Sequence, residues 1–206
     1  MIEFAANQLT AQQNYKFLTG SVIPRPIAWI TTQNVKTGVI NAAPFSYFNV
    51  VASNPPLLSL SINRRQGMEK DTAHNLRTQK EGVIHIVSDS ILDDMNQSAA
   101  SLPPEISELT DSSLTLSDSQ KVAVPGIKEA PIKLEVRLHQ HVPVLDHQER
   151  ITSDLFVLEV LHYTFDESVF DENRQYILPK ELGPIARLAG NTYGTLGDTF
   201  DVIRPY

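Results

Sequence analysis

Positive charge and a hydroxyl gather at one place in this chain. Arg64, Arg65, Lys70 and Thr72 lie in the stretch R-R-Q-G-M-E-K-D-T-A-H-N (64–75), which reads as a turn running into a helix that starts near Asp71 or Thr72. The free N–H groups of a first helical turn and the helix dipole favour an anion. Lys70 would add a point charge and Thr72 a hydroxyl donor, so the chemistry on offer is phosphate binding. Asp71 is the exception: a carboxylate repels phosphate, so it is assigned a backbone role, capping the helix or pairing with an arginine. On spacing alone, a solvated turn with ordinary surface charge accounts for the cluster equally well.

Upstream, N-A-A-P-F-S-Y-F-N (41–49) sets Asn41, Ser46 and Asn49 among aromatic residues, a pattern suited to a flat heterocycle with donors and acceptors on its rim. A core strand is the competing reading, because Phe45, Tyr47 and Phe48 would fill a barrel interior as readily. Trp29 is read as core. Arg25 stands between Pro24 and Pro26, which stiffen the backbone and limit the directions its guanidinium can take. The chain has no cysteine, which excludes disulfides, thiolate catalysis, cysteine-ligated zinc and iron–sulfur clusters. His139 and His141 share H-x-H spacing, with His147 and His162 on or beside the next hairpin arm. No carboxylate falls in a recognised ligand register with them, so no metal site is assigned. There is no G-x-S-x-G elbow and no G-x-G-x-x-G after a strand. A scaffold without a nucleophile of its own is one on which a cofactor carries the hard step.

The elements that must position these residues are mostly strands. The 206 residues, 41% of them hydrophobic, suit one packed domain spanning residues 1–206. A net charge of -7 argues against general nucleic-acid binding. No apolar run approaches the ~18 residues of a membrane span, and no basic, apolar leader opens the chain, so the expectation is a soluble, unprocessed, cytoplasmic protein. Thr10 is placed to cap a helix through Tyr15, Phe17 and Leu18. Residues 27–32 form a strand, followed by an N-V-K-T-G turn and a second strand that Pro44 interrupts, leaving nearby amides free. In L-L-S-L-S-I (57–62), Leu58, Leu60 and Ile62 share one face while Ser59 and Ser61 take the other. A helix over 70–80 leads to the strand V-I-H-I-V-S, and a second helix is expected over 91–100. Residues 103–118 have the polar composition of an insertion. Two long strands, 132–138 and 154–163, flank a hairpin, and from residue 165 the pattern dissolves. Strands in hairpin order with a few inserted helices define a mainly β, antiparallel barrel.

Four linked motifs, V-I-P-R-P-I-A-W-I-T-T, N-A-A-P-F-S-Y-F-N, P-P-L-L-S-L-S-I and K-D-T-A-H-N, resemble in order and spacing the flavin reductase-like, FMN-binding split-barrel family, in its flavoredoxin-type branch. A fifth, A-R-L-A-G-N-T-Y (186–193), is similar to a family motif written G-R-L-G-G-x-x-Y, with Ala186 in place of its first glycine. The resemblance implies a Greek-key split barrel, homodimeric, with FMN at the subunit interface. It implies further that Lys70, Asp71 and Thr72 meet the FMN phosphate, that Arg25 lies near the phosphate or ribityl chain, and that Ser46, Tyr47, Phe48 and Asn49 line the ring. Ser61 and Asn63 would approach from the adjacent strand. Arg187 and Tyr193 would govern substrate access, packed beside the flavin of the partner subunit. The activity implied is an FMN-dependent oxidoreductase in which NAD(P)H donates hydride and a small molecule or a protein accepts electrons. The alternatives are a non-catalytic, flavoredoxin-like electron carrier and, more remotely, a barrel for another phosphorylated or haem-like ligand.

Overall fold

The structure, a computed structural model, describes residues 1–205. Seven strands form its main sheet: β1 (Ala28–Gln33), β2 (Ile40–Phe45), β3 (Phe48–Ser53), β4 (Pro56–Asn63), β5 (Glu81–Ile86), β6 (Ile132–Leu145) and β7 (Ile151–Phe165). Their order is β2-β1-β5-β6-β7-β4-β3, and every neighbouring pair is antiparallel. The two strands at the ends of this order, β2 and β3, are consecutive in the chain with only Ser46 and Tyr47 between them. In a flat sheet those edges would stand roughly 29 Å apart, six strand spacings. The link from Phe45 to Phe48 spans at most roughly 11 Å. The sheet must therefore curl until its edges meet at this corner, and β4 secures the corner by donating the Ser61 amide to the Tyr47 carbonyl at 2.9 Å. A split barrel results, closed by covalent connection rather than by a ladder between β2 and β3.

The interior is filled as alternation dictates. Leu58, Leu60 and Ile62 of β4 point inward with Ala28 and Ile30 of β1 and Phe156, Leu158 and Val160 of β7. β1 is buried on both faces, because Ile27 and Trp29 enter a second cluster with Val87, Ile91, Met95, Ile127 and Ile185 outside the barrel. There the Trp29 indole donates to Ser98 Oγ at 2.9 Å, so the tryptophan is core.

Three helices surround the sheet's corner. α1 (Ala11–Ser21) begins with a capping box between Thr10 and Gln13. α2 (Asp71–Thr78) sinks Ala73 and Leu76 into the barrel cluster. The helix expected over 91–100 forms as a 3₁₀ turn, Asp89–Ile91, followed by α3 (Leu92–Gln97). The tail, patternless in sequence, is ordered by short pairings: Ala186–Arg187 bonds to Arg25–Pro26 on one side and Tyr193–Gly194 on the other.

Two buried polar groups lock the frame. Asp154, fully buried at one end of the barrel, accepts both Arg64 Nε and Nη2, at 2.9 and 3.1 Å, and also contacts His141 Nε2 at 2.9 Å. The Arg64 and His141 contacts hold its carboxyl below the usual range against the opposing effect of burial. His85 is also fully buried: its Nδ1–H donates to the Trp29 carbonyl at 2.8 Å, and its Nε2 accepts the Ile127 amide at 2.8 Å. That pairing requires the neutral ring, and burial depresses its pKa to about 4. The unfolded histidine takes up its proton near pH 6.5, so His85's contribution is complete above that value and is lost as pH falls from 6.5 towards 4. Urea unfolding should show wild-type stability dropping across this window by up to about 1.4 kcal/mol per pH unit from this residue. His85→Gln, less stable at pH 7, should show a flatter pH profile.

Candidate functional site

A cleft of about 280 Å³ opens at the barrel corner. Its floor is Pro44, Phe45, Ser46 and Tyr47, with Ser61 and Asn63 of β4 on one side and Lys70, at the entrance to α2, on another. α1 supplies Tyr15 and Thr19, α3 and the residues after it supply Met95 and Ala99, and the tail closes the rim with Arg187 and Tyr193. The lining holds three cations, Arg25, Lys70 and Arg187, and no carboxylate. In a chain of net charge -7, that is a local reversal of sign.

The three cations do different work. Arg25, only 7% exposed, donates Nη1 to the Thr19 and Val22 carbonyls at 2.5 and 2.7 Å, Nη2 to the Leu188 carbonyl at 2.8 Å and Nε to Ser46 Oγ at 3.4 Å. It thereby caps the C-terminal end of α1, where the dipole favours a cation, and ties α1, the corner and the tail together. Four of its five N–H donors are spent on the protein, so an anion in the cleft would feel its charge but could take at most one direct hydrogen bond from it, not a fork. Arg187 lies over the Tyr193 ring, 4.4 Å from its centroid, and donates to the Gly190 carbonyl. Tyr193 Oη in turn donates to Asn96 Oδ1 at 3.2 Å. This hairpin lines the cleft of its own chain. Lys70 makes no salt bridge among the described residues. Its ammonium stands 5.4 Å from the centroid of Phe45, and partial burial, with Arg65 nearby, lowers its pKa.

Lys70 also faces a second cleft of about 230 Å³, which shares Pro44, Phe45, Lys70 and Ala99 with the first. A buried polar network forms part of its wall. Thr72 Oγ1 donates to Asn41 Oδ1 at 2.7 Å, as does Thr32 Oγ1 at 3.3 Å, while Asn41 Nδ2 donates to Glu108 Oε1 at 2.6 Å. The Thr72 hydroxyl therefore faces Asn41. Asp71 behaves differently from the sequence reading. The N-cap of α2 is Lys70, with no side-chain cap, and the nearby arginines are engaged elsewhere, Arg64 with Asp154 and Arg65 with Ser101. Burial raises the Asp71 carboxyl, and Glu105 adds to the effect.

The remaining residues divide between two sides of the corner. Ser46 and Tyr47 line the main cleft, and burial, with Tyr15 beside it, raises the Tyr47 phenol. Ser61 Oγ is paired with Ser153 Oγ at 2.7 Å. Phe48 and Asn49 instead line an adjoining groove behind Arg25 and Tyr47, shared with Leu18, Val22 and Ser59. Tyr15, Thr19, Met95, Ala99 and Glu108 were not singled out from sequence. Tyr15 with Thr19, and Met95 with Ala99, have the i, i+4 spacing of one helix face, a signal that ordinary core packing also produces. Nothing in the sequence marks Glu108.

A curled antiparallel sheet with a cation-lined cleft at its covalent corner defines a split-barrel flavoprotein class. The chain belongs to the flavin reductase-like family: the model of the flavin reductase like domain matches residues 19–179. It is 49% identical over 205 residues to the protein YwrF of Bacillus subtilis, covering 100% of each chain. Among solved structures it is similar to nitrilotriacetate monooxygenase component B from Bacillus cereus, with a TM-score of 0.94, 40% identity and 98% of each chain covered. It is also similar to the 2-nitrobenzoate 2-nitroreductase NbaA of Pseudomonas fluorescens, with a TM-score of 0.87 and 30% identity, covering 99% of this chain and 96% of that one. The family and these relatives make the chain an oxidoreductase of flavin type.

The Arg25 tie yields a direct expectation. Arg25→Ala leaves three carbonyls without their donor and should lower unfolding stability by about 3 kcal/mol. Arg25→Lys keeps the charge but not the fork, and should recover less than half of the loss. Urea denaturation of both variants checks this.

Proposed function

We propose that the chain binds FMN in the corner cleft and acts as an NAD(P)H-dependent oxidoreductase that passes electrons to a second acceptor. The observation that carries this reading is the cleft's lining: three cations, no carboxylate and aromatic walls in an acidic chain, the complement of an anionic, flat heterocycle. Bound FMN would supply two-electron acceptance and its stepwise or paired release. The protein's own part is to bind, orient and exclude water. Lys70, where the two clefts meet, and the first-turn amides of α2, those of Asp71 and Thr72 on the side of the second cleft among them, would hold the phosphate. Ser46, Tyr47, Ser61 and Asn63 present hydroxyls and an amide to the rim of a ring, with Phe48 and Asn49 backing the corner from the groove behind. The stacked Arg187 and Tyr193 sit where a nicotinamide or acceptor would enter. The redox chemistry in the names of the monooxygenase component and the nitroreductase supports this reading.

A homodimer is part of the proposal. The cleft is open, and at about 280 Å³ it lies just under the roughly 300–1,000 Å³ common for ligand pockets. Leu18, Val22 and Val50, at 64%, 60% and 72% exposure, form an apolar border that a second copy would cover. Among the described residues no helix is long and apolar enough to cross a membrane.

Lys70→Ala should weaken FMN by about tenfold to a hundredfold, the cost of one charge-assisted hydrogen bond, while riboflavin, which lacks the phosphate, changes little. Equal weakening of both would remove the phosphate assignment. Steady-state NAD(P)H oxidation by the flavin-loaded protein separates the enzyme from an electron carrier, for which turnover would be absent. Sedimentation at micromolar concentration should give a dimer.

A further inference from the structure

The two clefts that meet at Lys70 differ in electrical character. The corner cleft has only cations, whereas the second is lined by Glu69, Asp71 and Glu108 together with Arg65 and the shared Lys70. Glu69 is neutralised by Arg77, which it accepts at 2.7 and 2.9 Å, leaving Asp71 and Glu108 without a cationic partner among the described residues. Glu108 is held firmly: Oε1 accepts Asn41 Nδ2 at 2.6 Å and Oε2 accepts the Ala42 amide at 2.9 Å. The amide belongs to β2, an edge strand of the sheet, and side-chain and edge N–H groups of this kind are the donors that an incoming phosphate would otherwise use. The protein fills them with a carboxylate of its own, brought in on the loop that follows α3.

We propose that Glu108 sets the cofactor specificity of the site, restricting it to a flavin with a single phosphate. Its carboxylate, beside Asp71, occupies the donors and the space beyond Lys70 that the second phosphate and nucleoside of flavin adenine dinucleotide would need. This inference rests on the flavin reading above. Charge adds to the exclusion, since Glu108 stands close enough to Asp71 to feel its charge and neither makes an ion pair among the described residues. Arg65 and Lys70 offset these two carboxylates across the cleft as a whole, but neither is bonded to Glu108, and Arg65 already donates to Ser101 Oγ at 2.7 Å, so the negative charge stays concentrated at the Asn41 and Ala42 donors.

The test is a titration of the full-length protein with FMN and, separately, with FAD, read by flavin fluorescence or calorimetry. Wild type should bind FMN more tightly than FAD. Glu108→Ala and Glu108→Gln should tighten FAD by about tenfold, with FMN unchanged within about twofold, because removing a repulsive element acts on the rejected ligand. Asp111→Asn removes a charge from the same loop outside both clefts and should change neither. Glu108→Gln keeps an acceptor for Asn41, so it remains informative if the alanine variant fails to fold. The wild-type preference is an independent readout. An FMN-to-FAD ratio that is unaltered in the Glu108 variants, or equal affinities in wild type, would overturn this inference alone. Binding of neither flavin would overturn the flavin reading and this inference with it.

Discussion

Ser46 and Tyr47 join the strands at opposite edges of a seven-stranded sheet, and much of the molecule follows from that connection. A two-residue bridge cannot cross an open sheet, so the sheet curls, and curling brings β2 and β4 to the two sides of one corner. Backbone at such a corner is only partly used by ladders. Pro44 gives up its donor, and the Tyr47 carbonyl is taken by Ser61. The corner is therefore both the closure of the barrel and the floor of its cleft.

Charge is then arranged around the corner by elements distant in sequence. α2 brings Lys70 with a helix N-terminus, the tail brings Arg187, and Arg25 holds the pieces in register by binding their carbonyls. A division of labour emerges among cations that look alike in a sequence. One is structural, one is stacked at the rim with donors to spare, and one, Lys70, makes no ion pair among the described residues.

The strands, their alternation and the antiparallel class were legible because burial imposes period-two patterning, as in Leu58, Leu60 and Ile62. The helix cap at Thr10 was legible for a similar reason, since local chemistry determines it, although the reciprocal bond from Gln13 emerged only in the structure. Lys70 and the corner residues were candidates on residue type and spacing, and the linked motifs separated them from the surface-charge and core-strand readings. What could not be read was how donors are partitioned. Nothing local tells that Arg25 serves carbonyls of residues 19, 22 and 188, or that Glu108 crosses to Asn41, because these pairings are tertiary. The tail was opaque for the same reason: its short strands exist only because Arg25–Pro26 offers them an edge.

The loop after α3 meets the edge strand through the Glu108 carboxylate and rests Leu109 and Leu114 on the cluster outside the barrel, whereas the corner is woven into closure, core and cleft at once. Mutational freedom is accordingly uneven. A lengthened corner would let the sheet relax and expose two unpaired edges, a route to aggregation, so that position tolerates little drift. Length changes in the loop away from Glu108, Leu109 and Leu114 should disturb the barrel less. A scaffold built this way diversifies by trading loops around an unchanging frame, and descendants that accept different molecules should differ most where the chain is least regular.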